Sequence, residues 1–214
     1  MNILNELLLL SEAKGKNLIG LTIGGKLITK KTSSEPWPGN FKSSVNQLTS
    51  LEGAPSSVGG YFWCSYNQLT SLEGAPSSVG GNFRCFNNQL TSLKGAPTSV
   101  GGDFSCSYNQ LTSLEGAPSS VGCNFDCYNN QLASLTGIHK ILKQINGTFY
   151  AINNPLKSNV IGLLLVKGCK EVQLDNKQVE EIMNRYLKSP FGNKRVIECQ
   201  SEMLDADIGE WAEL

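Results

Sequence analysis

The stretch Asn46–Gly60, NQLTSLEGAPSSVGG, returns without a change at Asn67–Gly81. Asn-Gln-Leu opens again at Asn88, Asn109 and Asn130, so the period is 21 residues. Self-similarity at this period marks a stacked repeat: one unit is too small to bury its own apolar face, and neighbouring units close a continuous core. Ahead of each Asn-Gln-Leu lies an apolar residue, a spacer and a second apolar residue, as in Phe83-Arg84-Cys85-Phe86-Asn87-Asn88. That alternation predicts a short strand. Phe41, Phe62, Phe83, Phe104 and Phe125 form one inward column, and Ser43, Cys64, Cys85, Cys106 and Cys127 form the next. The asparagines Asn46, Asn67, Asn88, Asn109, Asn130 and Asn154 are expected to form a ladder that satisfies backbone groups at the turn after the strand.

The last unit is longer, with 24 residues from Asn130 to Asn154. In it Ile138–Ile145 carries helical apolar spacing in place of Ala-Pro-Ser-Ser-Val, while Phe149 and Ala151 keep the inward columns. Six strands separated by about 4.8 Å predict a sheet roughly 24 Å wide. The Gly-Gly pairs ahead of the strands read as turn punctuation.

These residues resemble the leucine-rich-repeat family, whose L-x-x-L-x-L-x-x-N-x-L pattern is matched by F-x-C-x-x-N-Q-L over residues 40–156, with Phe and Cys replacing two leucines. The closest likeness is to the short repeats of secreted bacterial effectors, because Ala54–Val58 and its copies sit where those carry a proline-rich extended segment. The Gly-Gly pair departs from that pattern. Repeats of this kind are also similar to those of tailed-bacteriophage proteins. The resemblance implies an α/β solenoid with a parallel sheet of about six strands and helical caps at both ends. It also implies a non-enzymatic protein-binding module, and from the phage likeness a host protein, in the host cytoplasm, as a partner to be inhibited or redirected.

Three regions follow: an amino-terminal cap over 1–39, repeats over 40–156, and a carboxyl-terminal α/β cap over 157–214. In the first, Met1–Leu10 is read as a capping helix and Asn17–Ile23 as a strand. In the last, Glu171–Leu174 reads as a strand. Asp175 with Gln178 fits a capping box for a helix faced by Val179, Ile182, Met183, Tyr186 and Leu187. A second helix is expected to bury Val196, Cys199, Met203 and Leu204, ahead of an acidic tail of Glu202, Asp205, Asp207, Glu210 and Glu213. The chain begins without a basic secretory n-region or a run long enough to span a bilayer. With seven cysteines, an odd number, four of them at repeat spacing, a reducing cytoplasm is expected.

Outward positions are where the near-identical copies differ. One column reads Asn40, Tyr61, Asn82, Asp103, Asn124, Thr148, and the next Lys42, Trp63, Arg84, Ser105, Asp126, Tyr150. Two more read Ser44, Ser65, Phe86, Ser107, Tyr128, Ile152 and Val45, Tyr66, Asn87, Tyr108, Asn129, Asn153. Drift favours small polar residues, whereas Tyr, Trp and Arg dominate interface hot spots. The expected partner-binding residues are therefore Tyr61, Trp63, Tyr66, Arg84, Phe86, Asp103, Tyr108, Asp126, Tyr128 and Tyr150. The partner is expected to be a protein. The 18 basic residues balance 18 acidic ones, which disfavours nucleic acid and an anionic membrane.

No catalytic, metal or cofactor site is expected. The stacked cysteines would lie in a line, whereas zinc takes four ligands converging tetrahedrally. His139 is the only histidine and reads as part of a solvated helix face. Cys199 lacks the following acidic residue of the effector ubiquitin ligases. Cys123, outside the ladder, reads as a tolerated loop substitution. The rival functional classes are an activity housed in 157–214 and a structural or adhesive virion component.

Overall fold

A computed structural model describes residues 17–23 and 25–213. The chain winds as a solenoid between two parallel sheets. The front sheet has seven strands: Phe41–Lys42, Phe62–Trp63, Phe83–Arg84, Phe104–Ser105, Phe125–Asp126, Thr148–Tyr150 and Glu171–Gln173, stacked in sequence order. Phe41, Phe62, Phe83, Phe104, Phe125 and Phe149 stand in register and are fully buried, with successive ring centroids 5.1–5.6 Å apart. Trp37 closes the amino end of this column edge-on against Phe41, with centroids at 5.2 Å.

The asparagine ladder stands behind the turn. Asn109 Oδ1 accepts from Leu90 N–H at 3.0 Å in the preceding coil, and its Nδ2 donates to Cys85 and Cys106 carbonyls at 3.1 and 3.0 Å. Asn67, Asn88, Asn130 and Asn154 repeat the pattern. Each amide thus ties two coils together and leaves few of the turn's polar groups unmet.

The rear sheet was not expected. Pro36–Trp37, Ser57–Val58, Ser78–Val79, Ser99–Val100, Ser120–Val121 and Gln144–Ile145 pair in parallel, so the proline-containing segment is a second wall rather than an unpaired extended stretch. Val58, Val79, Val100, Val121 and Ile145 point inward from it. Helix contributes little to the coils: within them only α1 (Ile138–Ile141) is α-helical, so the solenoid is a parallel β one rather than α/β. The Gly-Gly pairs answer to close packing, not to turn geometry. Gly59, Gly80, Gly101 and Gly122 lie against the carbonyl of the coil before, and a Cβ on Gly101 would overlap the carbonyl oxygen of Gly80.

The front sheet continues beyond residue 156. Glu171–Gln173 adds a seventh front strand, with Val172 opposite Phe149, and six gaps of about 4.8 Å make the face about 29 Å wide. Asp175 takes up the ladder by accepting from Asn154 N–H at 3.3 Å. Being so engaged, it is not the helix cap. Asn176 caps α2 (Lys177–Leu187) by accepting from Val179 N–H at 3.2 Å. In α3 (Asn193–Asp205) the buried arc runs through Arg195, Val196, Cys199 and Met203, and Leu204, about 100° further round than Met203, is exposed. Arg195 is buried without a carboxylate: it donates to the carbonyls of Leu164, Leu187 and Ser189, the last two at the carboxyl end of α2, and lies over the Phe191 ring.

The acidic tail folds back, with Trp211 buried and Gln200 donating to Ala212 O. At the other end Thr22–Ile23 pairs antiparallel with Lys26–Leu27, while Leu18 and Ile28 are buried. The expected helix at Met1–Leu10 lies outside the described residues. No helix among the described residues is long and apolar enough to cross a membrane.

If coil spacing is what the rear glycines protect, Gly101→Ala should lower the unfolding free energy by roughly 1–3 kcal/mol, the usual cost of overpacking. Ser99→Ala, two residues away on the same wall, should leave a urea titration nearly unchanged.

Candidate functional site

Outward residues of the front sheet build two regions. At the amino end Tyr61 and Trp63 stack, with centroids 4.6 Å apart and planes 19° from parallel. Lys42 Nζ lies 4.8 Å from the Trp63 ring and 5.7 Å from Tyr61, and the Arg84 guanidinium lies 5.2 Å from Trp63 on the following strand. These cations are held by rings of their own face. The indole Nε1 of Trp63 is buried and has no hydrogen-bond partner among the described residues.

Across the middle of the face, from Tyr66 to Tyr150, lies an open groove of about 470 Å³. Eight of the ten expected residues line it together: Tyr66, Arg84, Phe86, Asp103, Tyr108, Asp126, Tyr128 and Tyr150. Tyr61 and Trp63 stand apart from it. Asn87, Ser105 and Asn124 complete the lining. Those three belong to the varied columns, but small polar side chains carry no hot-spot signal in sequence.

The aromatics come as two edge-to-face pairs. Tyr66 meets Phe86 at 5.2 Å and 79°, and Tyr108 meets Tyr128 at 5.1 Å and 80°. Tyr66 and Tyr108 nonetheless remain 56% and 46% exposed, the most open of the ten. Both sit in left-handed backbone, at φ 55 and 51, a conformation that Asn87, Asn129 and Asn153 adopt at the same place in their coils. Asparagine tolerates that region, whereas tyrosine is held there at a cost of about 1–2 kcal/mol. The serine before each tyrosine, Ser65 or Ser107, is buried rather than outward-facing, and Ser65 donates to Arg84 O at 3.1 Å.

The two acids differ. Asp103 belongs to a second ladder at the strand entry, in which Asn40, Asn82, Asp103 and Asn124 each accept from the backbone N–H of the next coil at 2.9–3.1 Å. Its other oxygen accepts from Asn82 Nδ2 at 3.2 Å, so its first duty is structural. Asp126 has no such place. It accepts from Ser105 Oγ at 3.2 Å and Tyr128 N–H at 3.4 Å, and it faces Ser105 on one side of its row and Tyr150 on the other. Among the described residues the ion pairs lie elsewhere, and none involves Lys42, Arg84, Asp103 or Asp126.

The buried thiols are chemically quiet. Cys64, Cys85, Cys106 and Cys127 are fully buried, and each thiol donates to the carbonyl of the next coil at 3.2–3.5 Å. Burial pushes their pKa values well up, so the nucleophilic thiolate is suppressed. Cys169 and Cys199 are pushed up to about 12 by burial. No group of three or more His, Cys, Asp and Glu side chains among the described residues is placed to hold a metal ion. His139 is half-buried rather than solvated: its Nδ1 is shielded without a partner, and burial, then Lys140 and Lys143, lowers its pKa. Cys123 is exposed.

Protein-family models, curated proteins and solved structures were compared with the chain, and none matches.

Burial raises the Asp126 carboxyl above the ordinary aspartate range, against opposing hydrogen bonds from Ser107, Tyr128 and Ser105. A raised folded-state pKa contributes stability that is full below the unfolded value and lost as pH rises through the folded one. Ionised Asp126 thus weakens the fold at neutral pH. Asp126→Asn, which keeps an accepting oxygen, should raise Tm by a few degrees at pH 7, and that gain should vanish near about pH 3. Equal melting temperatures at pH 7 would mean that the hydrogen bonds outweigh the burial.

Proposed function

We propose that the chain is a non-catalytic binding module of leucine-rich-repeat type whose front face holds a protein partner. One observation carries the reading: aromatic side chains and charges without ion-pair partners are gathered on one sheet, while the rear sheet offers rows of serine and glycine. Large apolar side chains at the water boundary are unfavourable when isolated, and Tyr66 and Tyr108 stay open although their backbone would suit asparagine better. The asparagine ladder and the strand-borne inward columns support the leucine-rich-repeat assignment. The suppressed thiols and the shielded histidine support a module without catalytic chemistry.

A face about 29 Å wide is of the dimension used by standard protein interfaces. The groove adds a concave feature in its middle. Along the face Lys42 and Arg84 lie on the amino side and Asp103 and Asp126 on the carboxyl side, an arrangement that would fix the orientation of a bound segment. The likeness of the repeats to those of tailed phages extends the proposal to a host protein, met in the host cytoplasm and inhibited or redirected there; that extension rests on the likeness alone.

Affinity purification with three forms of the protein tests the face. Trp63→Ala combined with Tyr108→Ala should abolish recovery of a specific partner identified by mass spectrometry, with the circular dichroism spectrum retained. Ser99→Arg on the rear wall should recover that partner as the wild type does. The reverse pattern, loss from the rear variant and retention by the front one, would move the interface to the other sheet.

A further inference from the structure

The two ends of the front face treat their rings differently. Trp63 and Tyr61 already have cations over them, Lys42 at 4.8 and 5.7 Å and Arg84 at 5.2 Å from the Trp63 ring. Around Asp126 the arrangement is complementary: Tyr108, Tyr128 and Tyr150 line the groove, a carboxylate lies among them, and no described cation is placed over these rings or paired with that acid. Arg84 lines the same groove, yet its guanidinium is committed to Trp63.

We infer that this end of the groove is a seat for one lysine side chain of the protein partner, its ammonium against Asp126 and its stem among Tyr108, Tyr128 and Tyr150. The inference rests on the front face being the interface. Three physical facts favour a cation there. Tyrosine rings present a negative face to an ammonium, and the attraction grows as water is displaced. Asp126 is partly withdrawn from water and is met only by neutral donors, so an incoming cation supplies the counter-charge its surroundings lack. Asp103, one coil away in the same lining, adds to the negative potential. Ser105 and Ser107, whose hydroxyls lie 3.0 Å apart, are buried beside the seat, with Ser105 donating to Asp126.

An acidic side chain is disfavoured at this end by the two aspartates. A purely apolar side chain would bury Asp126 further with nothing to compensate. A lysine has both the apolar stem for the rings and the charge for the acid.

The probe is Nα-acetyl-lysine methylamide, compared with its uncharged counterpart Nα-acetyl-norleucine methylamide, titrated into the full chain and followed by NMR of the tyrosine rings and backbone amides. Saturable shifts at Tyr128, Tyr150 and Asp126 are expected with the lysine probe, with affinity weakened about tenfold or more for norleucine and likewise for Asp126→Asn. Equal binding of the two probes would overturn the inference. So would unchanged lysine affinity in Asp126→Asn, or lysine shifts confined to the acidic carboxyl-terminal segment. Partner recovery separates this inference from the wider reading. Should the identified partner be lost with Trp63→Ala/Tyr108→Ala but bind undiminished to Asp126→Asn, the interface stands and the lysine seat falls.

Discussion

Backbone meets backbone on every coil of this solenoid. On the rear wall Gly59, Gly80, Gly101 and Gly122 let successive chains approach so closely that no side-chain atom fits between them. On the front, strands pair in register and the asparagine amides bridge from coil to coil at about hydrogen-bond length, as Asn109 does to Leu90, Cys85 and Cys106. The short strand spacing forces like residues to stack on like: phenylalanine on phenylalanine, thiol on thiol, valine on valine. A substitution in one of those columns disturbs the coils above and below, so these positions have little freedom.

Outward front positions escape that constraint, and the large aromatic side chains have gathered there. Even then the first outward column is half committed, since Asn40, Asn82, Asp103 and Asn124 cap the backbone of the next coil. The row that begins at Lys42 is freest, and it divides by charge: Lys42 and Arg84 flank an indole, whereas Asp126 stands between a serine and a tyrosine. Burial makes the ionised form of Asp126 unfavourable to the fold, against the hydrogen bonds that it accepts.

Much of this was legible in the chain. The inward Phe and Cys columns follow from alternation, and the asparagine ladder follows from a polar residue recurring beside them. Both rest on local rules. The rear sheet was not legible because Ala-Pro-Ser-Ser-Val does not alternate over enough residues to announce a strand; its pairing comes from stacking, a contact between residues 21 apart. The seventh strand was read as a strand but not as part of the sheet, since Val172, Leu174 and Asp175 carry the columns with no Phe, Cys or Asn to mark them. The glycine pairs look like turn residues in sequence, which does not show the neighbour that excludes a Cβ. Leu204 was misplaced for a related reason: Arg195 sits on the buried arc, held by carbonyls that periodicity does not reveal.

The aromatic surface has an order that spans two coils rather than one. Ser65-Tyr66 is followed by Phe86-Asn87, and Ser107-Tyr108 by Tyr128-Asn129. In each case the tyrosine occupies the left-handed position, its preceding serine tucks inward, and the ring reaches the aromatic of the next coil, where asparagine takes the left-handed place. Asparagine throughout that column would relieve the backbone and remove exposed ring surface, so folding alone would not select tyrosine twice at the same phase. The alternation instead yields two edge-to-face ring pairs spaced two strands apart, in the same groove lining as Arg84 and Asp126. Rings that already support one another have little freedom left to lose, so this surface is ordered by its own contacts.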